Sequence, residues 1–148
     1  MKFVRECDLI IRVFNTLWRR LVIVWDGPDR KELEKWALDN IQFLWHIESI
    51  DRKMQLFAAA KWHINLAQES FGLATVESLL CWCPVFGYNY WGSAELVRQN
   101  SGLLISSKSE HNIIDKLKEF DTMTFDRVSI QATIRSQIAN HPFPDHFL

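Results

Sequence analysis

The sequence predicts an α/β fold: a Rossmann-like parallel sheet with helices on both faces. Five short apolar runs alternate with segments of helical period. The runs are separated by about a dozen residues or more, the length a parallel crossover needs and a hairpin does not. The 148 residues are the length of one domain, enough for a single core.

Taken in order, Leu9, Ile10, Val13, Phe14 and Leu17 form one stripe and predict a helix over 8–17. Leu21-Val22-Ile23-Val24 is continuously apolar and β-branched, as in a strand buried on both faces. Pro28 suits the first position of a charged helix running to 38. A strand at 41–44, a helix at 51–60, a strand at 63–66 and a helix at 73–81 follow. Next come a strand at 84–87, a short helix at 94–98, a strand at 102–105, and helices at 109–120 and 125–140. There is no internal repeat or linker. Right-handed crossovers bring the C-terminal ends of all strands to one edge, where such sheets bind ligands. The loops 25–28, 45–50, 67–72 and 88–93 are therefore expected to build any site.

Composition excludes several classes. A net charge of −1 and a pI near 6.5 give no electrostatic reason to expect nucleic acid. With 48% hydrophobic and 24% charged residues, wholesale disorder is out. No apolar run reaches the roughly 18 residues of a membrane span, and no secretory signal is visible. Cys7, Cys81 and Cys83 are too few and too odd for a disulfide scaffold and suit a reducing cytosol. Cys81-x-Cys83 with His63 lacks zinc spacing and a fourth ligand, so these thiols read as buried structural groups. One count is abnormal: 7 Trp stand against 5 Gly. Glycine is about 3% of the chain where about 7% is usual, and counting the Trp as Gly would restore about 8%.

Glu69 and Glu77 are the candidate functional carboxylates. Glu69 lies in the loop leaving the 63–66 strand, and Gly72 opens the next helix. The amides of Gly72 and Leu73 can face an anion such as a diphosphate. Glu77 is in the second turn, and helical side chains lean back toward the N-terminus. Carboxylates on either side of an amide cradle suit a ligand with hydroxyls on either side of a phosphate, as in a nucleotide sugar. The plain alternative is a solvated loop Glu and a helix Glu in a surface ion pair. His46 sits in the second ligand-edge loop, with a structural, partly exposed role equally open. Asp26 reads as a turn and cap residue.

Several blocks then carry a family resemblance. Leu21-Val22-Ile23-Val24-Trp25-Asp26-Gly27-Pro28-Asp29-Arg30 resembles the "hydrophobic strand, G-D-G-P-x-R" segment of family 4 glycosyltransferases of the GT-B fold. Asn40-Ile41-Gln42-Phe43-Leu44-Trp45 resembles their "N-I-x-F-L-G". Glu69-Ser70-Phe71-Gly72-Leu73 with Val76-Glu77-Ser78 resembles "E-x-F-G-L-x-x-x-E-A", and Cys81-Trp82-Cys83-Pro84-Val85 resembles "C-G-x-P-V". Tyr90-Trp91-Gly92-Ser93-Ala94-Glu95-Leu96-Val97 resembles "G-G-x-x-E-x-V", and Phe143-Pro144-Asp145-His146-Phe147 resembles the closing "F-S-x-x-x-F". The blocks keep the family's order and spacing over nearly the whole chain.

The departures matter as much. Trp25, Trp45, Trp82 and Trp91 stand where the family has Gly, and Trp18, Trp36 and Trp62 where Gly is acceptable. Strand-to-helix turns use Gly for positive φ or close approach to a phosphate. The pattern implies a codon, UGA, read as Trp where the organism reads Gly; a degenerating gene or a genuine aromatic surface is the alternative. The family domain also begins one strand earlier, with two basic residues of which Arg5 matches the second.

The resemblance implies one half of a GT-B enzyme that transfers a sugar from a UDP- or GDP-sugar to a hydroxyl acceptor with retention, without a metal or other cofactor. Glu69, holding sugar hydroxyls, and Arg5, neutralising the diphosphate, would be catalytic. Glu77 would hold the ribose and the Gly72 and Leu73 amides the phosphates. Ser70, Phe71, Trp25, Trp45, His46, Trp91 and Gly92 would complete the donor site. The implied partners are the nucleotide-sugar and an N-terminal acceptor-binding half, with peripheral membrane contact through a lipid-linked acceptor and no nucleic acid. The location would be cytoplasmic, at the inner face of the membrane, and this fragment alone inactive. The rivals are a non-catalytic nucleotide-binding or interaction fragment, and a GT-B epimerase, which the Glu69-Ser70-Phe71-Gly72 block fits less well.

Overall fold

Each of the five apolar runs becomes a strand, and every strand pairing is parallel. The computed structural model describes residues 2–24, 27–44 and 46–140, with side chains from Glu6 onward. In chain order the elements are α1 (Lys2–Leu17), β1 (Leu21–Val24), α2 (Arg30–Trp36), β2 (Ile41–Leu44), α3 (Ile50–Ala59) and β3 (His63–Asn65). Then come α4 (Leu73–Leu80), β4 (Val85–Tyr88), α5 (Trp91–Leu96), β5 (Gly102–Ile105), α6 (Glu110–Thr122) and α7 (Arg127–Asn140).

The parallel sheet is in two parts. β1 pairs with β2, and β3, β4 and β5 form a second group in that order. β1 and β3 thus each have a single strand neighbour among the described residues. The Leu21 N–H donates to the Asn40 carbonyl on the β2 side. Because strand amides alternate in direction, the Val22 and Val24 N–H groups point to the opposite, unpaired edge. Their side chains remain 48% and 46% exposed, unusual for an apolar strand of a doubly covered sheet.

Helices cover both faces of β3–β5. On one face Ile11 and Phe14 of α1, Leu33 of α2, and Ile113, Leu117 and Phe120 of α6 pack with Phe86. On the other, Leu79 of α4, Leu96 of α5, and Ile130 and Ile134 of α7 pack with Val85. Adjacent residues of β4 thus enter opposite cores, as strand alternation requires. Trp62 bridges the first core, 6.0 Å from the Phe14 ring and 5.8 Å from that of Phe120.

Element ends differ from the sequence expectation where distant groups set them. α1 starts at Lys2 rather than residue 8, since no Gly or Pro interrupts the helix formers Lys2, Arg5 and Glu6. α2 starts at Arg30, because Gly27 and Pro28 form a turn whose Gly27 carbonyl accepts from the Arg30 N–H. It stops at Trp36 where Ala37 turns extended and Asn15 Oδ1 accepts from the Leu38 N–H. α5 occupies Trp91–Leu96 rather than 94–98; Val97 is extended and Ser101 Oγ accepts from the Arg98 N–H. No described helix is long and apolar enough to cross a membrane.

Candidate functional site

The loop between β3 and α4 carries the densest polar arrangement. Asn65, the last residue of β3, is 7% exposed. Its Nδ2 donates to Glu69 Oε1 at 2.9 Å and to Thr75 Oγ1 at 3.0 Å, and its Oδ1 accepts from the Ala67 N–H at 3.1 Å. Gly72 caps α4 with φ 65° and ψ 39°, left-handed backbone that glycine adopts at little cost. No side chain caps this helix, so its first amides face the loop region unopposed by a capping oxygen.

The Tyr90–Ser93 segment lies directly on this loop. The Gly92 N–H donates to the Glu69 carbonyl at 3.2 Å. A Cβ on Gly92 would lie 2.8 Å from Gly72 N and 2.9 Å from the Phe71 carbonyl carbon, so the two backbones touch. Ser70, Phe71, Leu73 and Trp91 are exposed around the contact. Trp91 stacks on Tyr90 and Tyr90 on Tyr88, whose ring has the Lys108 ammonium 4.2 Å from its centroid.

Glu77 stands apart from that cluster. Its Oε1 accepts from Lys53 Nζ of α3 at 2.9 Å, the ion pair that the plain reading of a helix Glu anticipates. The neighbouring Arg52 lines an open pocket of about 340 Å³ with His46, Phe43, Leu44, Ile47, Glu48 and Ser49. His46 is exposed at its rim.

Residues 2–132 match the family model of glycosyl transferases group 1. The chain belongs to this family. Its fold is also that of solved structures. Anabaena Alr3699/HepE in complex with UDP and glucose is 20% identical, with TM-score 0.65 over 90% of this chain and 44% of that one. The GtfA/B complex is 17% identical, with TM-score 0.65 over 90% of this chain and 29% of that one. The chain therefore spans less than half the length of either structure. No curated protein sequence matches it.

Within this group 1 glycosyl transferase domain, Glu69, Gly72 and Gly92 come together, with Ser70, Phe71, Leu73 and Trp91 exposed around them. Arg5 lies inside α1 rather than in a loop before it, and its side chain is outside the described residues. Trp25, Asp26, Trp45 and the closing 143–147 motif also lie outside them. Sequence reasoning passed over Asn65 and Lys53. An amide inside the apolar run His63-Ile64-Asn65-Leu66 was the available signal for the first; none marked the second.

Cys81, Cys83 and His63 are uncharged at neutral pH. Burial pushes the Cys83 thiol up to about 12 and raises Cys81, so both stay protonated at neutral pH. Burial also lowers His63 to about 4, leaving a neutral ring with Nδ1 3.1 Å from Ser78 Oγ. Among the described residues no three His, Cys, Asp or Glu side chains converge to hold a metal ion.

Two tryptophans break a backbone rule. Trp18 (φ 50°) and Trp82 (φ 61°) are the non-glycine residues with positive φ among the described residues. Both follow helix ends, at positions where glycine is the usual occupant.

Proposed function

We propose that this domain is the donor-binding half of a retaining, family 4 GT-B glycosyltransferase that moves a sugar from a UDP- or GDP-sugar to a hydroxyl acceptor. The observation that carries the reading is the Glu69–Gly72–Gly92 contact: a carboxylate fixed beside the uncapped start of α4, with two glycine backbones touching. Glu69 takes the sugar hydroxyls. The Gly72 and Leu73 amides, at the positive end of α4, take the diphosphate. Glu77 takes the ribose with its second oxygen while Lys53 fixes the first. The His46 pocket receives the base, and Arg5 adds positive charge at the leaving group. Such fixed charges and dipoles stabilise the departing diphosphate electrostatically. Support for a nucleotide-sugar donor comes from the HepE structure, which holds UDP and glucose.

The acceptor belongs to an N-terminal half. On this reading the isolated chain turns over no donor, because transfer needs both substrates positioned together. A lipid-linked acceptor would bring the enzyme to the cytoplasmic face of the membrane. Neither a metal nor an organic cofactor has a role.

Glu77→Ala is the direct test. Titration calorimetry of the chain with UDP and GDP should show nucleotide binding weakened by about 1.5–3 kcal/mol, the range for charge-assisted hydrogen bonds. Glu32→Ala, exposed on α2, is the control and should match the parent. Undiminished affinity in Glu77→Ala would remove the ribose from Glu77.

The same reading includes one more parallel strand, between β1 and β3. α1 and α2 pack side by side. Successive right-handed crossovers on one face step in one direction, so the strand feeding α1 falls on the free edge of β1. Hydrogen exchange of the chain extended by its genomic upstream residues should show the Val22, Val24 and Ile64 amides becoming protected. Unchanged exchange at all three would refute the added strand.

A further inference from the structure

Glu69 sits on a loop, where a carboxylate would ordinarily sample several rotamers. Here both ends of the residue are tied. The Gly92 N–H holds its carbonyl at 3.2 Å, and Asn65 Nδ2 holds its Oε1 at 2.9 Å. Asn65 is itself locked. An amide has two N–H donors and an acceptor oxygen. Both donors are used, on Glu69 and Thr75, while Oδ1 takes the Ala67 N–H. A flipped amide would oppose its oxygen to a carboxylate and its NH2 to an N–H, so only one orientation is compatible with its neighbours.

The turn after β3 needs only the Oδ1 contact to Ala67, which an aspartate would supply equally. The donor to Glu69 is additional to that structural need. Among the described residues Glu69 Oε2 has no hydrogen-bond partner, which leaves that oxygen to meet a ligand.

We propose that Asn65 is a positioning residue that aims the Glu69 carboxylate at the donor sugar, and so governs how well a nucleotide sugar binds relative to the bare nucleoside diphosphate. This rests on the assignment of Glu69 to sugar hydroxyls made above. Asn65 touches no substrate and acts through Glu69.

The test compares UDP with UDP-glucose, and GDP with GDP-mannose, by calorimetry on the chain and on Asn65→Asp. Asn65→Asp keeps the acceptor for Ala67 and replaces the donor to Glu69 with a like charge. The nucleotide sugar should bind about tenfold more weakly than to the parent, with the nucleoside diphosphate within about twofold. In a Glu69→Gln background Asn65→Asp should add no further selective loss, since the residue works only through that carboxylate. Should Asn65→Asp fail to fold in a thermal melt, Asn65→Ser carries the same expectation, because it offers an acceptor for Ala67 and is too short to reach Glu69. Equal weakening of nucleotide and nucleotide sugar, or none, would overturn the positioning role while leaving the donor site intact. A parent that binds none of the four ligands would overturn the donor-site reading and this proposal with it.

Discussion

Gly102→Ala should cost about 3 kcal/mol or more and lower the melting temperature by roughly 6 °C or more. A Cβ there would lie 2.1 Å from the Val85 carbonyl oxygen, 2.8 Å from Val97 Cγ1 and 3.0 Å from the Val85 carbonyl carbon. Overpacking usually costs about 1–3 kcal/mol because side chains give way. In this case the nearest obstacle is the backbone of the neighbouring strand. Gly102 is the register partner of Val85, and the Val85 N–H donates to the adjacent Ser101 carbonyl at 2.9 Å. Relief therefore means prising β5 from β4. The damage reaches the site, because β4 leads into the loop that sets Gly92 against Glu69. Differential scanning calorimetry reads the effect; a melting point within about 2 °C of the parent would show that β4 and β5 separate far more easily than their geometry suggests.

What was legible in the sequence was local. All five strands are short β-rich apolar runs, and their position required no knowledge of the rest of the chain. Glu69, Gly72 and Gly92 stood out through the family resemblance of their blocks, which the structure brings into contact. The ends of α2 and α5 were not, since Asn15 and Ser101 compete for the amides that would have extended them. Nor was the division of the sheet, which depends on which strand lies beside β1. Lys53 lies 24 residues from Glu77 and meets it only once α3 packs on α4. Asn65 was read as part of an apolar strand, although an amide in such a run needs buried partners and announces them.

Replacing Trp18 and Trp82 together by glycine should stabilise the chain by about 2 kcal/mol or more, raising the melting temperature by roughly 4–8 °C. At the end of α4 the Cys83 N–H bonds to the Ser78 carbonyl at 2.9 Å and the Trp82 N–H to that of Leu79 at 3.1 Å. At the end of α1 the Arg19 N–H bonds to the Phe14 carbonyl at 3.2 Å and the Trp18 N–H to that of Asn15 at 3.3 Å. Both are the paired-bond motif that closes a helix through one left-handed residue, for which glycine is the preferred occupant. A bulky residue held in that region costs about 1–3 kcal/mol, while glycine returns about 0.4–1 kcal/mol through the freer unfolded chain. Both residues keep part of their surface in solvent, Trp18 being 64% and Trp82 39% exposed, so the packing lost is smaller than for a core tryptophan. The balance favours glycine at both sites, against the usual rule that removing a large apolar side chain destabilises. The other described tryptophans do not share that backbone: Trp36 and Trp91 are exposed, and Trp62 packs between Phe14 and Phe120 with its Nε1 lacking a hydrogen-bond partner among the described residues. We propose that Trp18 and Trp82 are glycine in the source organism, encoded by UGA, as the sequence pattern of all seven implies. UGG codons at Trp25, Trp45, Trp82 and Trp91 would end that reading. A double variant that melts below the parent would show instead that the indoles contribute contacts worth more than the backbone strain they impose.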